Sequence, residues 1–445
     1  MNHPYLPLTD ANRAEMLKQI GVESIEKLLT EIPDNIRLKR PLNLQQSMTE
    51  PELSNYMINK AAANHPVQLS FLGAGAYQHY IPAVIDHLAN RSEFYTSYTP
   101  YQPEISQGML QAIFEYQTFI SELFGLPIAN ASLYDGPSAL AEAVLMAVKE
   151  VKSQRVLIPE NISPNLLTVI KTYTRHLNLT IETIPSSHGL IDSIALAEQL
   201  KPGAAAVVLQ SPNFYGLVEN IAELIPLVKH SAAIPICYVH PLTLSVLEAP
   251  GNLGAEIVVA EGQPLGLPLA YGGPYLGLMA TSERFIRRIP GRLVGETVDH
   301  HGKRAFVLTL QTREQHIRRE KATSNICSNQ ALCALRAAIY LSVLGPLGLK
   351  EIAQRAFDNA HYLFDQLKAI GFKPLFDSPF FMEFAIQTPK PASFYIEQLL
   401  SKGILAGLDL APHRPDMENA LLICATEVFS KEALDQLIEE MRRIV

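Results

Sequence analysis

No lysine occurs between Lys229 and Lys303 in this chain of 445 residues. The lysine-free segment runs from one strand-like stretch, Ile234 to Val239, through another, Glu256 to Ala260. It then reaches a glycine-rich turn, Tyr271-Gly272-Gly273-Pro274. Its surroundings read as an α/β cofactor enzyme, yet a segment without lysine cannot hold an aldehyde cofactor as a Schiff base. Cysteine is also scarce. Cys237, Cys327, Cys333 and Cys424 form no CxxC pair and sit in apolar or helical contexts. This favours buried free thiols in a reducing compartment over disulfides or metal ligands. Met1-Asn2-His3-Pro4 opens no basic and apolar leader, and no apolar run reaches the length of a membrane span. A cytoplasmic location and no membrane partner are the expectations. Positive charge is not in excess: the net charge of −8, spread without an acidic tail, argues against nucleic acid as a partner. Internal repeats and low-complexity tracts are absent.

What is present is ordinary for a buried globular chain, with 48% apolar and 18% charged residues, and the length predicts two or three domains. Residues 1–68 read as a helical arm. Thr9-Asp10 caps a helix ending near Gly21, and Ser24 starts another whose Ile25, Leu28, Leu29 and Ile32 share a face. Thr49 and Glu52 form a capping box around Pro51. With only narrow apolar faces, this arm is expected to wrap a partner surface. Residues 69–323 read as a large α/β domain. Helices are predicted at Glu104–Phe124 and Pro137–Val151. Six short apolar strands follow, near Arg155–Pro159, Leu179–Ile184, Ala205–Gln210, Ile234–Val239, Glu256–Ala260 and Tyr275–Ala280, with helical patterns between several of them. Such strands predict a mostly parallel, buried sheet. Residues 324–445 read as a small α+β domain entered by a helix from Asn329 to Leu344, ended by Gly345-Pro346.

Several motifs carry two readings each. Tyr95, Tyr98 and Tyr101 recur every three residues in a proline-bearing stretch, which puts them on one face of an extended chain. Their phenols suit a phosphate, a carboxylate or a flat cofactor, but spacing alone favours an aromatic loop filling an interface. Asp135-Gly136-Pro137-Ser138 opens a helix, as an anion site or as ordinary capping. Gly73-Ala74-Gly75-Ala76-Tyr77 is a flexible loop, not a dinucleotide fingerprint. Arg313, His316, Arg318, Arg319 and Lys321 read as a solvated helix face or an anion-binding one. His300-His301 has no carboxylate cluster beside it and reads as an exposed loop, with no metal expected.

Five stretches together are specific. They are Phe71 to Tyr77, Tyr98 to Gly108, Gly262-Gln263-Pro264-Leu265-Gly266, Pro290 to Thr297, and Arg318 to Cys327. On these the chain closely resembles, over essentially its whole length, the first-subunit type of the two-chain glycine dehydrogenases (decarboxylating), the P proteins of the glycine cleavage system. The resemblance implies a pyridoxal-phosphate (PLP) enzyme of fold type I, with a large, mostly parallel α/β domain and a small C-terminal α+β domain. It implies a homologous second subunit that carries the cofactor lysine. It also implies glycine as substrate, loss of its carboxylate as CO2, and passage of the aminomethyl group to the lipoyl arm of an H protein.

Under that resemblance Gln263 falls near the vacant lysine position, since a Gln amide cannot form an imine. His240 falls near the place of the aspartate that would pair with the pyridine nitrogen. PLP is then expected on the partner, with nothing covalent here. Tyr95, Tyr98, Tyr101, Gln102, Glu104, Arg313, Arg318, Thr323 and Asn325 become candidates for an interface that reaches the partner's site. Two other readings stay open: an autonomous PLP enzyme using another lysine such as Lys303, and a non-catalytic scaffold that docks the H protein.

Overall fold

The computed structural model describes residues 5, 8–64, 67–95, 100, 102–326 and 328–444. They form two compact units, residues 1–65 and 66–445. In the first, helix α1 (Asp10–Ile20) begins where Asn12 N donates to the Thr9 hydroxyl and stops at Gly21 in left-handed conformation. Helix α2 (Ile25–Leu28) is a single turn. The chain leaves helical geometry at Leu29, so the face expected to include Leu29 and Ile32 is not one helix face. Helix α3 (Glu50–Ala62) starts at the Thr49/Glu52 box, with Thr49 N and hydroxyl both donating to Glu52 at 2.8 Å. None of these helices buries a residue.

The second unit is built on a seven-stranded sheet. Its strands are β1 (Ile128–Ala129), β2 (Arg155–Pro159), β3 (Thr180–Ile184), β4 (Ala206–Ser211), β5 (Ile234–Val239), β6 (Ile257–Glu261) and β7 (Gly277–Thr281), in the order β1-β7-β6-β5-β4-β2-β3. The five strands from β6 to β3 run parallel, and β7 pairs antiparallel with both β6 and β1. Alternate residues feed opposite faces. Val156, Val208 and Ile236 pack under helix α5 (Gly136–Val151), whose alanines Ala139, Ala143 and Ala147 let it lie close. Leu157, Leu209 and Cys237 pack instead with Tyr116, Ile120 and Phe124 of helix α4 (Gln107–Phe124). Each such buried aliphatic contributes about 2 kcal/mol. A hairpin of β8 (Leu293–Val298) and β9 (Arg304–Thr309) carries His300 and His301, exposed, at its turn.

Helix α6 (Ala331–Ala369) is interrupted at Gly345 (φ 58°, ψ −176°), where the Gly-Pro pair predicts an end; the helix restarts at Pro346. Its first half joins the core on the α4 side of the sheet. Its second half (Ala353, Ala356, Ala360, Leu363) joins a separate core beneath a four-stranded antiparallel sheet. By length and composition this helix could cross a bilayer, and burial in two cores accounts for its apolarity. The small sheet comprises β10 (Lys373–Pro374), β11 (Glu383–Gln387), β12 (Leu408–Asp409) and β13 (Ala420–Cys424), in the order β10-β11-β13-β12. Cys237, Cys333 and Cys424 are buried free thiols.

Two elements depart from expectation. Helix α4 starts at Gln107, not Glu104, because the residues after Pro103 turn and the Gln107 amide donates back to Pro103 O at 2.7 Å. Arg313 to Lys321 is not one helix. It breaks into turns at Gln311–Arg313, Gln315–Arg318 and Arg319–Lys321, because Glu314 is extended and Arg319 adopts φ +53°. Its cations therefore share no single face.

A seam joins the large sheet's loops to the small sheet. Gly216 lies at φ +80°, and a Cβ there would stand 1.9 Å from the backbone oxygen of Glu383. Phe381 N donates to Gly216 O at 3.1 Å. Gly216→Ala must open this seam, and a loss on the order of 3 kcal/mol is expected. A chemical-denaturation midpoint equal to that of the wild type would show that the seam does not constrain the fold.

Candidate functional site

A cavity of about 400 Å³ lies at the C-terminal ends of the parallel strands, the usual position for ligands in open α/β sheets. Its walls come from the Gly73–Tyr77 loop, the start of α5, the ends of β4, β5 and β6, and Glu383 of the small sheet. Among the described residues, no lysine and no arginine lines it.

Its central feature is Glu261, 6% exposed at the last position of β6. Three backbone N–H groups converge on this carboxylate: Gly136 N at 2.8 Å, Gln263 N at 2.9 Å and Leu276 N at 3.0 Å. At the same helix start, Ser138 N donates to the Asp135 carboxylate at 2.7 Å, and Pro137 has no N–H to offer. The free donors that make a helix N-terminus an anion site are therefore consumed by the chain's own carboxylates. Of the two sequence readings of Asp135–Ser138, capping is the one the geometry supports. Burial pushes Glu261 up to about 7, against the pull of the three N–H bonds.

The opposite wall is fixed by Glu383. Its carboxylate accepts from Ala74 N at 2.7 Å and from the Tyr77 hydroxyl at 3.1 Å. The Gly73–Tyr77 loop, expected to be flexible, is thus clamped to the small sheet. A second clamp comes from Gln263, which is 1% exposed. Its amide nitrogen donates to Tyr77 O and Leu267 O, both at 2.9 Å, and its oxygen accepts from Tyr77 N at 3.0 Å. Gln263 is not among the residues lining the cavity. Its carboxamide is complementary to a peptide group, the hydrogen-bond role that Gln fills well.

His240 follows β5 directly and lines the cavity. Tyr77 meets its ring edge-on at 5.0 Å, and His79 lies 5.7 Å away. Neither ring nitrogen has a partner among the described residues, and burial, with His79 adding to it, holds its pKa well below the ordinary value. A neutral imidazole offers no negative charge to a pyridinium.

The cavity does not fit PLP. An aldehyde needs an amine, and a phosphate ester needs cations or free N–H donors. The walls supply no amine and, among the described residues, no lysine or arginine, and they place the carboxylates of Asp135, Glu261 and Glu383 along the space.

The remaining candidates lie elsewhere. Tyr95 ends a short helix and is 64% exposed; Gln102, Glu104, Arg318 and Asn325 are also exposed, away from the cavity. Tyr98 and Tyr101 fall outside the described residues. Arg313 is buried and, with Thr323, lines a second, much smaller cavity. Lys303 is exposed beside the hairpin turn. Glu261 and Glu383 were missed as site residues. Their signal was an acid placed inside an apolar strand, in Ile257-Val-Val-Ala-Glu261 and Phe381-Met-Glu-Phe-Ala385.

Burial pushes Glu383 up to about 7, above the ordinary 4.5, although Ala74 N and the Tyr77 hydroxyl pull it down. The folded chain therefore binds this proton more tightly than the unfolded one. The stability gained is complete below about pH 4.5 and is lost as pH rises towards 7. Glu383→Gln keeps a neutral acceptor in place. Its stability relative to the wild type should improve between pH 5 and pH 8 by up to about 3 kcal/mol. Denaturation midpoints of the two proteins running parallel across that range would refute the assignment.

The family model described as glycine cleavage system P-protein matches residues 3–441. The probable glycine dehydrogenase (decarboxylating) subunit 1 of Anoxybacillus flavithermus is 46% identical over 443 residues, 99% of each chain. A crystal structure of glycine decarboxylase (P-protein) of the glycine cleavage system, in inhibitor-bound form, superposes with a TM-score of 0.87 at 40% identity, covering all of both chains. A sphingosine-1-phosphate lyase from Burkholderia pseudomallei shares the fold alone, with a TM-score of 0.65 at 14% identity over 90% of this chain and 91% of that one. The architecture is that of the fold type I PLP enzymes, and the chain belongs to the glycine cleavage system P-protein family.

Proposed function

We propose that this chain is the lysine-free subunit of a two-subunit glycine dehydrogenase (decarboxylating), and that PLP is held by a homologous lysine-bearing partner. The observation that carries this reading is the cavity at the strand ends. It lies where ligands bind in open α/β sheets, the donors at the start of α5 are bound to Glu261 and Asp135, and no lysine or arginine among the described residues lines it. Together the two subunits decarboxylate glycine, release CO2 and transfer the aminomethyl group to the lipoyl arm of the H protein. Family membership and the similarity to a glycine decarboxylase structure support that activity.

This chain's share is a rigid frame and an interface. The exposed positions of Tyr95, Gln102, Glu104, Arg318 and Asn325 are compatible with contact to the partner or to the H protein. An autonomous enzyme using Lys303 finds no support, because that lysine is exposed beside the β8–β9 turn and does not line the cavity.

The isolated chain, given PLP, should show no imine absorbance and no glycine–bicarbonate exchange. Exchange should appear when the lysine-bearing subunit is added. Robust exchange by this chain alone would overturn the proposal.

A further inference from the structure

We propose that Arg313 is the receiving end of an ion pair made across a protein interface, its guanidinium edge taking one carboxylate from an acidic side chain of the partner subunit. This rests on the two-subunit reading above and adds a named contact to it.

Arg313 closes the turn Gln311–Arg313 and is 9% exposed. Its Nη1 donates to Ile289 O. Its Nε and Nη2 are buried and meet no acceptor among the described residues. These two groups lie along one edge of the guanidinium, the edge that matches both oxygens of a carboxylate. The same edge is filled at other arginines here. Arg155 donates from Nε and Nη2 to Glu182 at 2.6 Å each, and Arg414 donates to Asp416 at 3.1 and 3.0 Å. A buried guanidinium without a carboxylate is costly, and burial pushes Arg313 down to about 10. The adjacent Glu314 does not serve. It makes no ion pair with Arg313 within 4.0 Å; one of its oxygens lies 3.6 Å from His316 Nδ1 and the other is buried without a partner.

Arg313 lines a cavity of about 10 Å³ together with Glu314, Pro290, Gly291, Thr323 and Ser324. That is room for about one water-sized group, too little for a free metabolite. Arg318, Arg319 and Lys321, all exposed, follow within eight residues, in a chain whose net charge is −8. This local excess of positive charge is complementary to an acidic protein segment.

The test uses the full chain with Arg313→Met and Arg313→Lys. Two quantities are read: the denaturation midpoint of the isolated chain and its affinity for the lysine-bearing subunit. Arg313→Met should leave the midpoint unchanged or raise it, because it removes an unpaired buried charge. It should weaken assembly at least tenfold. Arg313→Lys should also weaken assembly, because an ammonium lacks the two-donor edge. Wild-type affinity in Arg313→Met would overturn the inference, as would a lowered midpoint in both variants, which would mark a folding role through Ile289. Stabilisation of the isolated wild type by millimolar acetate or phosphate, lost in Arg313→Met with assembly intact, would assign the edge to a free anion instead. Failure of the wild-type chain to assemble with the lysine-bearing subunit would defeat the two-subunit reading itself.

Discussion

Three backbone N–H groups converge on the Glu261 carboxylate, and the character of the main cavity follows from that convergence. The carboxylate ties the end of β6 to the first residue of α5 and to the segment entering β7. It places an acidic group where the helix dipole favours negative charge. A cavity in this position on an α/β sheet normally offers those donors to a ligand. Here an internal acid uses them, and Asp135 takes the next one. The cavity is therefore held in shape without any bound group.

The same economy governs the far wall. Glu383 and Gln263 fix the Gly73–Tyr77 loop from two directions, one from the small sheet and one from the segment after β6. Gln263 holds the loop through a peptide-like contact. Its carboxamide pairs with both the N–H and the carbonyl of Tyr77, a match that an alkylammonium cannot make because it has no acceptor. A division of labour between two homologous subunits is consistent with this arrangement: one keeps the reactive groups, and the other converts them into structural ones.

Much of the scaffold was legible in the sequence because its signals are local. The fully apolar strands, the Thr49 and Asp135 caps and the Gly345-Pro346 break each announce themselves within a few residues. The site was less legible because its contacts are remote. Glu383 meets Tyr77 across 306 residues, and no spacing rule reports that. Arg313 was read as one of a run of cations on a helix. Its burial depends on an extended Glu314 and on Ile289 O, neither of which a charge pattern reveals. His240 and Gln263 were placed by resemblance to a family motif. The structure adds that the first is a neutral, unpartnered imidazole in the cavity wall and the second a clamp outside the lining.

The central claim is that the reactive lysine, and with it the cofactor, belongs to the other chain. Borohydride reduction of the assembled enzyme, followed by separation of the subunits and peptide mapping, tests this directly. The account predicts a pyridoxyl-lysine on the partner subunit and none on this chain. A pyridoxyl-lysine at Lys303, or at any other lysine of this chain, would contradict it.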